Sequence, residues 1–132
     1  QIERHPHYQR MEELSVMKEL GIQVEGWAPF AEGLKGMFTE PVLQEIAEKH
    51  GKTVPQIILR WDIQQNVVII PKSVHQNRME ENLTIWDFEL DHEDMEKIAQ
   101  LDKNVPSMLD CSKPSEIDRL YDYLNNPVLT SL

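Results

Sequence analysis

The chain has 132 residues, enough for one domain with a core of its own, and 40% of them are hydrophobic, which excludes a disordered chain. Its formal net charge of −10 makes a nucleic-acid partner a poor fit, and the acid is spread over helices rather than gathered in a tail. No run approaches the roughly 18 apolar residues of a membrane span, no secretory signal is visible, and the single cysteine, Cys111, rules out an internal disulfide; together these lead to the expectation of a cytoplasmic protein with no membrane partner. Nothing around Cys111 supplies a base, so it reads as an unreactive thiol in a tail.

In chain order, QIERH (residues 1–5) reads as a short strand broken by Pro6. A helix follows from about Gln9 to Leu20, with Leu14, Met17 and Leu20 on its inner side and Gly21 as the C-terminal stop. Gln23 to Trp27 is the second strand, and Ala28 to Thr39 a loop containing Gly33 and Gly36. Thr39 can cap a helix running to His50, where Gly51 stops it. Thr53 and Gln56 form a capping box for the next helix, whose Val54, Ile57, Ile58 and Trp61 mark one face at i, i+3, i+4 and i+7. Val67 to Ile70 has the β-branched composition of a parallel strand buried on both faces. A helix from about Gln76 to Trp86, a short strand at Asp87–Leu90 and a helix capped by Asp91 come next. That last helix reaches about Leu101, with Met95, Ile98 and Ala99 facing inward. Residues 102–132 form a tail with Pro106, Pro114 and Pro127, and at most one further helix at Ser115–Leu124, whose apolar face is Ile117, Leu120, Tyr121 and Leu124. Alternation of strands and helices implies a parallel sheet with right-handed crossovers.

The stretch with the clearest chemistry is VVIIPKSVHQNRMEEN, residues 67–82. Pro71 ends the strand, and Lys72 and Ser73 sit at its C-terminal end. Arg78, Glu81 and Asn82 fall on the helix that follows. A cation and a hydroxyl at a strand-to-helix turn can form an anion site, aided by the free N–H groups and dipole of the helix start. Arg78 can grip the anion, while Glu81 and Asn82, one turn on, can reach an attached heterocycle. In so acidic a chain any phosphate site must be local, and Lys72 with Arg78 is the best local candidate. His5 and His7 do not share a helical face, and no carboxylate or cysteine cluster joins them at ligand spacing, so they do not read as a metal site.

IPKSV followed by R-x-x-E-N resembles the adenosine-phosphate loop of the aldo-keto reductases. The likeness extends through QIERHPHYQ, GIQVEGWAPF, EIAEKHGKTVPQIILRW and DFEL-D-x-EDM, in that family's order and spacing, and is similar to bacterial 2,5-diketo-gluconate reductase-like members. The resemblance implies an α/β fold, the second half of a (β/α)8 TIM barrel with four parallel strands and their helices, residues 1–101 being βα units and 102–132 a C-terminal tail that helps close the substrate pocket. It implies an oxidoreductase that moves hydride between NADPH and a small carbonyl substrate, reducing aldehydes and ketones to alcohols. Gln1 corresponds to the residue that bonds the nicotinamide carboxamide, and Trp27 to the aromatic ring stacked on the nicotinamide. Ala28 and Phe30 fall in the loop over the pyrophosphate. Lys72, Ser73, Val74 and Arg78 match the ligands of the 2′-phosphate, with Glu81 and Asn82 toward the adenine. The chain departs from the family at Ala28, Phe30 and Ala31, where relatives often carry a serine-leucine-glycine pattern, and at Glu32, which brings a carboxylate near the expected phosphates. The family's aspartate, tyrosine, lysine and histidine of proton transfer belong to the first half of the barrel and have no matching motifs here. The expectation is a piece with much of the cofactor site, inactive alone, completed by the missing N-terminal half-barrel or by self-association.

Overall fold

The structure is a computed structural model that describes residues 1–33, 36–110 and 112–125; Cys111 and Pro127 lie outside the described residues. Three parallel strands, β1 (Ile2–Glu3), β2 (Glu25–Trp27) and β3 (Val68–Ile69), pair in the order β1-β2-β3. Ile2 pairs with Gly26 and Glu3 with Trp27; on the other side Glu25 pairs with Val68 and Gly26 with Ile69. Helix α1 (Met11–Glu19) connects β1 to β2, and α2 (Pro41–His50) and α3 (Val54–Gln64) connect β2 to β3. Helices α4 (Gln76–Leu83), α5 (His92–Ala99) and α6 (Pro114–Asn125) follow. The architecture is thus α/β with a parallel sheet, a part of the barrel that the sequence pattern implies.

The helix stops and starts follow the local chemistry. Gly51 takes the left-handed conformation (φ 61°) that ends α2. Thr53 and Gln56 form the reciprocal capping box at the start of α3, and Asp91 and Asp94 form another at α5. Thr39 does not cap α2. Glu40 occupies that position, Pro41 opens the helix, and the Thr39 hydroxyl instead donates to the carbonyl of Gly36 at 3.1 Å. The α3 stripe of Val54, Ile57, Ile58 and Trp61 is buried, packed with Leu43 and Ile46 of α2 and with Leu90 and Ile98. Asp94, fully buried, accepts from Lys49 Nζ at 2.7 Å and lies 2.7 Å from His50 Nε2, so α5 is fastened to the end of α2.

One face of the sheet lies on α3 and the other does not, because side chains alternate along a strand. Arg4, Gly26 and Val67 share the α3 face: a Cβ on Gly26 would come within 3.3 Å of Val67 Cγ1 and 3.5 Å of Arg4 Cβ, so only glycine fits without movement. Glu3, Glu25, Trp27 and Val68 take the opposite face. This corrects the expectation of a β3 buried on both sides: Val67 is 1% exposed, but Val68 and Ile70 are 41% and 51% exposed. The cause is position, since β3 is an edge strand and no helix among the described residues covers the side of Val68 and Ile70.

Other elements also differ from expectation. Leu20 is exposed, and α1 buries no side chain completely, so its packing is looser than the apolar spacing suggests. Ala99 points outward at the last turn of α5. Asp87–Leu90 forms no strand, so the described sheet has three strands where four were expected; the Leu90 N–H donates instead to Gln64 Oε1 at 2.8 Å and Gln64 Nε2 donates to the Leu90 carbonyl at 2.9 Å. The apolar face of α6 (Ile117, Leu120, Tyr121 and Leu124) is exposed.

Two buried charges hold the sheet to its helix. Arg4 Nε meets Asp62 Oδ1 at 2.7 Å, both side chains fully buried, and the guanidinium lies 4.2 Å over the Trp61 ring. Its Nη1 also donates to the Gln9 carbonyl. Burial pulls the Arg4 guanidinium down and pushes the Asp62 carboxyl up to about 7, outweighing their mutual attraction. An aspartate in the unfolded chain titrates near 3.8, so the folded form holds this proton more tightly. The contribution of Asp62 to stability is therefore full below pH 3.8 and declines as pH rises to 7. Urea unfolding from pH 4 to 8 should show the native chain losing stability relative to Asp62→Asn by on the order of 3 kcal/mol, then running parallel to it above pH 7. Parallel curves across the whole range would exclude the burial effect.

Candidate functional site

Parallel strands end on the same edge of a sheet, and that edge gathers the residues of interest. After Ile70 and Pro71 the chain turns through Lys72, Ser73 and Val74 into α4. The Ser73 hydroxyl accepts from the His75 N–H at 3.2 Å, which fixes the turn. His75, the residue before α4, makes no side-chain cap, so the first amides of that helix are open to a ligand. Lys72, Val74 and Arg78 are exposed, and Ser73, Glu81 and Asn82 are half-buried. Among the described residues neither Lys72 nor Arg78 is in an ion pair, although acids outnumber bases 23 to 13. Lys18 and Lys103 also lack an ion pair among the described residues, but Lys72 and Arg78 flank the turn that leaves β3, where an anion could meet both.

Helix α4 is held from below by α3. Gln56 Nε2 donates to the carbonyls of Glu81 (3.2 Å) and Thr84 (2.8 Å), and the Thr53 hydroxyl donates to the Glu81 carboxylate. Glu81 is therefore engaged with α3 and can offer a heterocycle only its second oxygen. Asn82 lines a groove beside β3 with Pro71 and Met79.

On the same edge Trp27 ends β2, half-buried, one residue beyond the Gly26–Ile69 pair and beside Glu3. Gln1 lies on the same face, and its amide donates to the Glu25 carboxylate. A ligand carboxamide would meet Gln1 through its free carbonyl oxygen or by displacing that bond. Ala28, Ala31 and Glu32 all hold left-handed backbone (φ 53°, 46° and 56°), a strained turn of the kind that persists where the surroundings impose it. The Phe30 side chain packs against the core and 5.7 Å from the Phe38 ring centroid, so this residue can face a ligand only through its backbone. The structure thus brings Trp27, Ala28, Lys72, Ser73 and Val74 to one edge, with Arg78 on the helix that leaves it, and turns Phe30 and Glu81 partly to structural work.

The sequence pattern did not single out Arg4, Asp62 or Glu3. A signal for Asp62 was present, since it follows Trp61 and stands at i+4 from Ile58 on a buried face. A charge there requires an opposite partner. His7 and Glu40 pair at 3.0 Å, joining the first corner to the end of the Ala28–Thr39 loop.

Comparison with known proteins identifies the family. The aldo/keto reductase family profile matches residues 38–103. Glyoxal reductase of Bacillus subtilis is 48% identical over 104 residues, covering 79% of this chain and 37% of its own length. Methylglyoxal reductase DkgA of Escherichia coli is 43% identical over 103 residues, covering 78% of this chain and 38% of its own. An aldo/keto reductase from Brucella melitensis superposes with a TM-score of 0.71 at 42% identity, over 76% of this chain and 37% of that one. A Bombyx mori aldo-keto reductase in complex with NADP gives 0.76 at 32% identity, over 84% and 38%. The chain belongs to the aldo/keto reductase family, whose members include enzymes crystallised with NADP or NADPH. It spans less than two fifths of the length of these relatives.

The anchoring of α4 predicts a local effect. Gln56→Ala should leave the Glu81 and Thr84 carbonyls without their donor and cost about 1–3 kcal/mol. Amide exchange in the last turn of α4 should quicken while α5 stays protected; unchanged exchange in α4 would remove this anchor from the account.

Proposed function

We propose that this chain carries the adenosine-phosphate site and the nicotinamide-facing edge of an NADPH-dependent reductase that converts small aldehydes and ketones to alcohols. The observation that carries the reading is the pair Lys72 and Arg78, unpaired in a chain of charge −10, at the C-terminal end of β3. Lys72, Ser73 and the backbone at Val74 would hold the 2′-phosphate with Arg78, whose fork suits two phosphate oxygens. Asn82 and the second oxygen of Glu81 would face the adenine. Trp27 would lie flat against the nicotinamide, Gln1 would meet its carboxamide, and the backbone of Ala28 and Phe30 would pass over the pyrophosphate. NADPH, when bound, supplies the hydride. The glyoxal and methylglyoxal reductases among the relatives make small dicarbonyls the first substrates to try.

The proton needed by the developing alkoxide has no donor in this chain that fits the family's pattern. Tyr8, Tyr121 and Tyr123 lack the required lysine and aspartate context, and a hydride step without a positioned acid loses the stabilisation that makes it fast. The 132-residue chain is therefore proposed as inactive by itself.

A second reading is supported by the apolar groove of about 670 Å³ along the open edge of β3, lined by Ile63, Ile69, Met79, Leu83 and Trp86. Exposed edges of this kind are covered in stable proteins. The preceding half of a barrel, or another copy of this chain, would cover it. Sedimentation equilibrium should then give a mass above the 15.5 kDa monomer when the groove is covered by a second copy, and the monomer mass when it awaits a barrel half.

Calorimetric titration with adenosine 2′,5′-bisphosphate and with adenosine 5′-phosphate tests the anion site. The 2′,5′ form should bind more tightly, and Arg78→Ala should weaken it roughly ten-fold while leaving the 5′-phosphate nearly unchanged. Equal affinities would contradict the 2′-phosphate assignment. In a steady-state assay with NADPH and methylglyoxal the chain should show no turnover above the uncatalysed rate, and enzymatic turnover would overturn the proposed inactivity.

A further inference from the structure

Glu3 is a carboxylate where the fold has no evident need for one. It is 3% exposed, near the end of β1, and directly beside Trp27 in the sheet. Burying a carboxylate costs several kcal/mol unless its oxygens are satisfied, and an apolar residue would seat the strand more cheaply. What satisfies Glu3 is the tail. The N–H groups of Ser107 and Met108 donate to its Oε1 at 2.7 and 3.0 Å, and the N–H of Leu109 donates to Oε2 at 3.4 Å. His5 Nε2 also lies 3.2 Å from Oε1. Three consecutive backbone amides thus converge on one side chain about a hundred residues away in sequence. The near end of the same segment is tied to the same corner: the Gln9 N–H donates to Asp102 Oδ1 at 3.2 Å, and the Lys103 N–H donates to the His7 carbonyl at 2.9 Å. Residues 102–109 therefore form a strap fastened at both ends across the Glu3–Gln9 corner.

We infer that Glu3 is a positioning residue: it holds Ser107–Leu109 beside Trp27 and so makes that strap one wall of the carbonyl pocket. The inference rests on the cofactor reading above, since it takes the Trp27 face as the nicotinamide face. It gives the tail a fixed place next to the reacting edge through backbone amides, so the side chains of Met108 and Leu109 can vary without moving the wall. Glu3 itself touches the strap and His5, and its role is exerted through them.

The test uses the 132-residue chain in a Trp86→Phe background. Trp86 is 67% exposed and Trp61 only 1%, so acrylamide quenching then reports Trp27. Glu3→Gln keeps the side-chain length but loses the charge and one acceptor. It should quicken amide exchange at residues 107–109 by about ten-fold and raise quenching of Trp27, with exchange in α3 unchanged. Met108→Pro, which deletes a donor from the tail side and leaves the sheet alone, should do the same and serves if Glu3→Gln fails to fold. Unchanged exchange and quenching in the folded variants would overturn the strap. Loosening of α3 together with the tail would make Glu3 a general structural residue and overturn the positioning role. NADPH should bind both variants within two-fold of the parent. A parent chain that binds no NADPH while the strap responds as stated would sink the cofactor reading and with it the pocket wall, leaving the strap as a structural clasp.

Discussion

The contact between Arg4 and Asp62 joins β1 to α3 across 58 residues of sequence, and the order of the sheet depends on it. Both side chains are fully buried, so each depends on the other as its hydrogen-bond partner. Removing one partner of such a pair typically costs about 3–5 kcal/mol, because the survivor is left unpaired. Arg4 also lies over Trp61 and bonds the Gln9 carbonyl, and the Gln9 side chain in turn donates to the carbonyls of Pro6 and Ile98. One guanidinium thereby locates the first strand, the corner after it, the third helix and the end of α5. With β1 placed, β2 follows by pairing, Gly26 lets β1 and β3 approach α3 together, and the strand ends fall on one edge.

The two faces of the sheet at that edge are unlike. Its α3 face is packed, while the opposite face carries Glu3, Glu25, Trp27 and Val68 with little over it except the strap at Glu3. The ion-pair inventory divides the same way. Lys49, Lys52, Arg60 and Lys97 are drawn into pairs with acids that fasten helices and loops to one another. Lys72 and Arg78 are not, and they stand where the chain leaves β3. Acids outnumber bases 23 to 13, yet among the described residues Lys72 and Arg78, like Lys18 and Lys103, stand outside any ion pair, and the first two stand together where the chain leaves β3.

The family was legible from its motifs, and the βα order from short-range signals: helix stops at Gly21 and Gly51, the capping box at Thr53, the cap at Asp91, and the apolar period of α3. Residues 67–82 were legible as a motif of the family. What the sequence hid was long-range. The exposure of Val68 and Ile70 depends on which neighbour a strand has, and no local pattern reports that. Asp87–Leu90 has strand composition, but its backbone partners are taken by the Gln64 side chain, which is 26 residues away from Leu90. Glu3 and Arg4 read as polar residues in a short strand until Ser107–Leu109 and Asp62 are set against them. Phe30 fell within the loop expected to cover the pyrophosphate, and its burial against Phe38 turned its side chain to the core. Cys111 lies outside the described residues.

The most direct test of the central claim, that this chain holds a folded NADPH site, is a fluorescence titration with NADPH and NADH side by side, following the tryptophans. Saturable quenching at lower concentrations of NADPH than of NADH is the predicted result, with Trp27 stacked on the nicotinamide and Lys72 and Arg78 selecting the 2′-phosphate. The absence of any saturable response to either nucleotide would contradict the account.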